Sequence, residues 1–184
     1  MASRLTIRPG RSRDIPQLRK IEKAARARYA SAHRFSFAAE TPPVAANRLA
    51  EGDVIVAEAD GQLAGFVLMN PMDGMLYIAN ISVDPAISGQ GFGAALIEAA
   101  QERAIAQGLS ALTLTTFRVP RWNAPWFRRI GFQPMPPDRV LHPALPHRGG
   151  RLPVTAPVRS RQALAMFPNL DLNAWKTKIC LTEG

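Results

Sequence analysis

The chain has 184 residues, of which 47% are hydrophobic and 20% charged, and it carries a formal net charge of +9. That length suits a single domain, the apolar share excludes wholesale disorder, and no apolar run approaches the roughly 20 residues of a membrane span. Cys180 is the only cysteine, which excludes an internal disulfide framework and a cysteine-rich metal site. The basic start, Met1 to Arg8, is not followed by the apolar stretch of a secretory signal, so a cytoplasmic protein with no metal is expected.

Leu5–Arg8 alternates like a short strand and is stopped by Pro9-Gly10. Asp14 reads as an N-cap, and apolar residues at Ile15, Leu18, Ile21, Ala24, Ala25 and Ala27 give a helical period to about Arg28. Residues 29–42 have no clean period and hold the aromatics Tyr29, Phe35 and Phe37, so a binding loop or broken helix is expected. A short helix follows over Val44 to Ala50. Asp53–Glu58 and Leu63–Met69 are strands joined through Asp60-Gly61, a strong hairpin signal, and a second turn at Asp73-Gly74 leads into Leu76–Val83. Three successive antiparallel strands are therefore predicted. A helix covers Ala94–Ala106, with Leu96, Ile97, Ala100 and Ile105 on its apolar side and Gly108 ending it. Ala111–Phe117 is a strand and Asn123–Ile130 a short helix before Gly131-Phe132.

Eight of the 16 prolines fall between Pro134 and Pro168, which bars a regular helix or central strand over residues 133–160. Ala163–Phe167 is a candidate last strand, and residues 168–184 show only a weak amphipathic pattern. The expected organisation is a core of residues 1–132, closed by a strand near 163–167, and a proline-rich basic segment over 133–184.

The net charge is unevenly spread. Residues 1–34 sum to +8, residues 35–117 to −7 and residues 118–184 to +8. A basic, acidic, basic chain with no recognition motif makes nucleic acid an unlikely partner despite the total.

Ser88-Gly89-Gln90-Gly91-Phe92-Gly93-Ala94 joins a strand to a helix. Glycines admit a ligand close to the backbone, and the first N–H groups of a helix are unpaired donors, so this turn can cradle phosphate. A Walker-type loop would need Lys-Ser/Thr where Ala94-Ala95 stands. A dinucleotide fingerprint is weakened by Pro85 between strand and glycines and by the absence of an acid over residues 108–117, although Arg118 could serve a 2′-phosphate. Coenzyme A is the third candidate.

Ile81-Ser82-Val83-Asp84-Pro85 followed by Ser88-Gly-Gln-Gly-Phe-Gly93 resembles the acyl-CoA-binding motif of the GNAT superfamily of N-acetyltransferases. The stretch Leu112–Phe117, then Asn123-Ala-Pro-Trp-Phe-Arg-Arg-Ile-Gly131-Phe132, is similar to its second signature. The resemblance implies an α/β (α+β) fold, with a mixed, mostly antiparallel central sheet flanked by helices. It also implies acetyl transfer from acetyl-CoA to an amine, small-molecule or peptide, by direct attack in a ternary complex; a CoA-binding module with little catalysis is the alternative. A homodimer is left open. By the same resemblance, the backbone of Ile81, Ser82 and Val83 would pair with the pantetheine arm. The N–H groups of Ser88, Gly89, Gln90, Gly91, Phe92, Gly93 and Ala94 would hold the pyrophosphate. Asn123 would bond the pantetheine region and Phe127 would pack near the sulfur. Of Arg118, Arg121, Arg128 and Arg129, some could meet the 3′-phosphate.

Three positions depart from the family pattern. Ser88 replaces the Gln/Arg that usually opens the loop, Ala79-Asn80 stands where a glutamate base often lies, and Phe127 stands where a tyrosine acid is frequent. The catalytic residues are therefore open, with Asn80, His33 and Tyr77 as weak candidates. Tyr29, Phe35, Phe37 and Tyr77 are candidates for the acceptor pocket wall.

Overall fold

The computed structural model describes residues 4–135 and 161–166. The tail beyond Met166, with Trp175 and Cys180, and most of the proline-rich segment lie outside the described residues. The chain divides into two compact units, Met1–Leu112 and Thr113–Gly184.

The first unit is built on strands β1 (Leu5–Pro9), β2 (Asp53–Ala59), β3 (Gln62–Met72) and β4 (Met75–Val83), lying in that order and antiparallel. Both hairpins form where Asp-Gly foretold them: Asp60 and Gly61 have φ of 49° and 81°, Asp73 and Gly74 of 51° and 74°. Helix α1 covers Ile15–Ala27, and two short 3₁₀ turns (Arg28–Ser31 and His33–Phe35) lead to α2 (Phe37–Glu40) and α3 (Ala46–Glu51). The segment 29–42 is thus a broken helix. Helix α4 runs from Phe92 to Ala106, beginning two residues before its expected start.

Period-2 alternation sorts the sheet into two faces. Val54, Val56, Phe66 and Leu68 pack with Leu18 of α1 and Leu49 of α3. The alternate residues Ile55, Ala57, Val67 and Met69 are equally buried on the opposite face, which α4 covers. Each of these side chains larger than alanine contributes about 1.5–3 kcal/mol on burial.

Two helical readings are corrected. On α4 it is Ala104 rather than Ile105 that faces the core, with Ile105 48% exposed. On α1 the buried positions are Leu18, Ile21 and Glu22, while Ala24 and Ala27 are exposed. Asp14 does occupy the N-cap of α1, but its carboxylate makes no cap bond there. It accepts instead from the Arg11 N–H (2.8 Å) and from the guanidinium of Arg8 (2.8 Å), which also meets Glu58 (2.7 Å).

The second unit contains β5 (Leu112–Phe117), which starts on the last residue of the first, α5 (Ala124–Arg129), β6 (Gln133–Pro134) and β7 (Arg161–Met166), with strand order β5-β7-β6. β6 and β7 are antiparallel, Gln133 opposite Ala165. The final strand therefore falls where it was expected, beginning two residues earlier. Pro134 belongs to a two-residue strand at the end of that order, where its missing N–H costs little.

Candidate active site

β4 delivers the chain into the glycine turn. The Asp84 N–H is held by the Ala64 carbonyl at 2.8 Å, and the Asp84 carboxylate accepts the Ala86 N–H at 2.9 Å, which fixes a 3₁₀ turn over Pro85–Ile87. Ser88 through Gly91 are then exposed, with φ of 88° at Gly89 and 90° at Gly91, the N-cap of α4. The Ser88 N–H donates to Pro85 O at 3.3 Å. The first backbone donor after it to find an acceptor is Ala95, on Gly91 O at 3.0 Å. Among the described residues, the N–H groups of Gly89, Gln90, Gly91, Phe92, Gly93 and Ala94 thus have no backbone acceptor. The array of open donors begins one residue later than the sequence implied, and a Cβ placed on Gly89 or Gly91 would meet nothing within 4 Å. Such an array at the start of a 15-residue helix fits a pyrophosphate.

Upstream of this turn β4 carries a bulge. Leu68 pairs with Asn80 but Met69 pairs with Ile78, so Ala79 is an extra residue. Leu76 and Ile78 point to the α4 face with Met69. After the bulge, Asn80 and Ser82 stand opposite Leu68 and Phe66, on the α1 face. There the Asn80 amide donates to Glu22 Oε1 at 2.8 Å, and the Ser82 hydroxyl donates to Asn80 Oδ1 at 2.9 Å. Glu22 is fully buried and accepts further bonds from Arg26 Nε (2.9 Å), an Arg26 terminal nitrogen (2.6 Å) and the Val44 N–H (2.8 Å). Sequence reasoning missed Glu22. Its signal was an acid four residues after Leu18 and beside Ile21, on the face that α1 must bury.

Of the other candidates, Tyr77 is half-buried opposite Asn70, and shares the α1 face with Asn80 and Ser82. Tyr29 and Phe37 are half-buried and Phe35 is buried, all in the segment that packs along α1. His33 opens a 3₁₀ turn, and its side chain lies outside the described residues. A cavity of about 290 Å³ opens elsewhere, beside Gly10, Gly52 and Arg103, and holds none of the candidates.

In the second unit, Asn123 is buried at the N-cap of α5, where its carbonyl accepts the N–H groups of Trp126 and Phe127 and its amide donates to Thr116 Oγ1 at 2.9 Å. Phe127 is buried between Trp126 and Phe132, edge-on to each at 4.8 and 5.4 Å. Both residues thus organise the turn from β5 into α5. Among the described residues no group of three His, Cys, Asp or Glu could hold a metal, and no helix is long and apolar enough to cross a membrane.

A mixed sheet with a bulged strand feeding a left-handed glycine turn and helix defines an N-acetyltransferase-like fold. The chain belongs to the acetyltransferase (GNAT) family, whose model matches residues 17–132. Among solved structures it is similar to the ribosomal-protein-S18-alanine N-acetyltransferase of Escherichia coli, with 18% identity, a TM-score of 0.63, and 89% of this chain and 94% of that one covered. The PaiA N-acetyltransferase of Thermoplasma acidophilum, in complex with coenzyme A, aligns at 13% identity and a TM-score of 0.65 over 89% of this chain and 99% of that one. A GNAT family acetyltransferase of Brucella melitensis, in complex with acetyl-CoA, is 26% identical with a TM-score of 0.54, covering 71% and 84%.

Proposed function

We propose that the protein transfers an acetyl group from acetyl-CoA to an amine by direct attack within a ternary complex. The observation that carries this reading is the run of open N–H donors from Gly89 to Ala94 at the end of β4, in a chain of this family. Those donors would hold the pyrophosphate, and the backbone of Ile81 to Val83 would lie along the pantetheine arm. The acyltransferase domain would be residues 1–132 with the strand at 161–166, and residues 133–184 would otherwise be an accessory segment.

In the reaction the amine nitrogen bonds to the thioester carbonyl carbon, the carbon–sulfur bond breaks, and coenzyme A leaves as a thiol carrying the proton the amine gives up. Holding the two reactants side by side removes most of the entropic barrier, and fixed N–H donors can stabilise the oxyanion. A general base or acid adds about 10²–10⁴-fold. Asn80 cannot be a base, and both oxygens of Glu22 are already committed to donors.

That last observation favours one second reading, a coenzyme A-binding module with little turnover. Calorimetric titration with coenzyme A and thiol release across a panel of primary amines decide the matter. Binding by the parent, its loss in the Gly91→Glu, Gly93→Glu double variant, and steady thiol release with at least one amine are expected. Binding without turnover would leave the module, and no binding would reject both.

A further inference from the structure

We propose that Glu22 is the positioning residue on the acceptor side of the transfer site, acting through Asn80 and Ser82; the inference rests on the acetyl-transfer reading. A carboxylate only accepts hydrogen bonds, so the Asn80 group facing it at 2.8 Å must be the NH₂. Asn80 Oδ1 is thereby turned toward Ser82, whose hydroxyl hydrogen is committed to it at 2.9 Å. The polarity of the chain is fixed from its buried end. What remains on β4 is acceptor capacity, the second lone pair of Asn80 Oδ1 and the lone pairs of Ser82 Oγ. Such a pair receives the N–H groups of an amine and repels a carboxylate or phosphate.

Glu22 is built to hold this orientation. Arg26 and the Val44 N–H occupy its remaining valences, and the same Val44 contributes its carbonyl to Arg19 Nε at 3.1 Å, which ties the segment after α2 to α1. Glu22 itself is fully buried, so it touches no substrate, whereas Asn80 is half-buried. Glutamine at position 22 has one oxygen where the site presents donors to both. Its NH₂ must then face either the fixed Val44 N–H or, at the other position, both Arg26 and Asn80; there the part-exposed Arg26 can withdraw to solvent and Asn80 can turn around. The turned Asn80 presents its NH₂ to Ser82, and the acceptor face becomes a donor face. Aspartate at position 80 cures this, since it accepts from both the introduced glutamine and Ser82.

The test uses the full chain with acetyl-CoA and 2-phenylethylamine, a primary amine with an apolar body suited to the neighbouring aromatics. Glu22→Gln is expected to raise the KM for the amine about tenfold, the effect of losing one hydrogen bond in a site, while the KM for acetyl-CoA stays unchanged. The Glu22→Gln, Asn80→Asp double variant is expected to recover most of that loss, which a merely structural role would not do. An unchanged amine KM in the single variant, or no recovery in the double, overturns the proposal. In the ¹⁵N-labelled parent, the Asn80 side-chain NH₂, assigned by its loss in Asn80→Asp, should exchange with solvent about tenfold more slowly than that of exposed Asn47 and shift when the amine is added to the CoA-loaded protein. Exchange as fast as that of Asn47, or no shift with the amine, overturns the proposal even if Glu22→Gln fails to fold. Absence of thiol release from the parent would reject the acetyl-transfer reading alone, and the Asn80 resonances would still decide the role of Glu22.

Discussion

Leu68 faces Asn80 across the β3–β4 ladder, and the next rung joins Met69 to Ile78, so Ala79 has no partner of its own. This extra residue determines the chemistry of the sheet. Strict alternation from the buried pair Leu76 and Ile78 would carry Asn80 and Ser82 onto the apolar face under α4. The bulge returns them to α1 and Glu22. Deleting Ala79 removes the extra residue and sets Asn80 directly after Ile78, so Asn80 and Ser82 should stay on the α1 face with their bonds to Glu22 and to each other. No buried group is left unpaired, so the loss expected in urea unfolding is below about 1 kcal/mol, the least that one such group costs. A loss of more than about 3 kcal/mol would show that the bulged geometry itself, and not only the face it restores, holds the Glu22 contacts.

The bulge explains why part of the site was hidden in the sequence. Alternation and the two Asp-Gly turns are local signals, and they placed β2, β3 and β4 correctly. The glycine turn was legible for the same reason, since positive φ at Gly89 and Gly91 is written into residue choice. A bulge is a property of register between two strands, and nothing in Ile78-Ala79-Asn80 announces it. The Glu22–Asn80 bond joins residues 58 apart in sequence and depends on that register. Helical periodicity alone, read through alanines that lie on either face, assigned Ala24 and Ala27 to the core and passed over Glu22. Asn123 was legible as part of a signature, but its bond to Thr116 seven residues earlier required the β5–α5 turn to be seen.

Gly65 is a second place where β3 and β4 constrain each other. It stands opposite Val83, and a Cβ added to it would lie 2.7 Å from the Ser82 carbonyl oxygen and 3.2 Å from Val83 Cα. Both are backbone atoms and cannot swing aside. Gly65→Ala should push β4 away from β3 at the end that feeds the glycine turn. The expected cost is about 1–3 kcal/mol, as for overpacking a core, with weaker coenzyme A binding in calorimetry. Full stability with unchanged affinity would mean that the strand end is pliant.

Acid should act on the far side of the same unit, through Asp14. The Arg8 guanidinium beside it is the largest influence and holds its carboxyl below the usual 3.8, with the Arg11 N–H assisting against the opposing effect of burial. Arg8 itself is pushed upward by Asp14 and Glu58 and stays charged throughout. A lowered folded value means that the stabilisation is fully present above pH 3.8 and is lost as pH falls from there through the folded pKa. Asp14→Asn should thus be less stable than the parent near neutrality, and the gap should close in denaturation curves taken progressively below that pH. A gap that stays constant from neutral to strongly acidic conditions would exclude Asp14 as its source.

Gly91 links backbone strain to ligand binding. At φ of 90° it caps α4 in a conformation that costs an L-residue about 1–2 kcal/mol, yet an added Cβ would touch nothing within 4 Å. Gly91→Ala should lower stability by no more than that conformational cost if the turn keeps its shape. Where the turn relaxes instead, stability is recovered and the N–H groups from Gly89 to Ala94 lose their common direction. Coenzyme A affinity and stability should consequently trade against each other across Gly91→Ala, Gly89→Ala and the double variant. The most stable of the three is expected to be the poorest binder. Calorimetry and thermal unfolding on the same samples check this, and variants that retain both full stability and full affinity would show that the left-handed turn is unnecessary for holding the pyrophosphate.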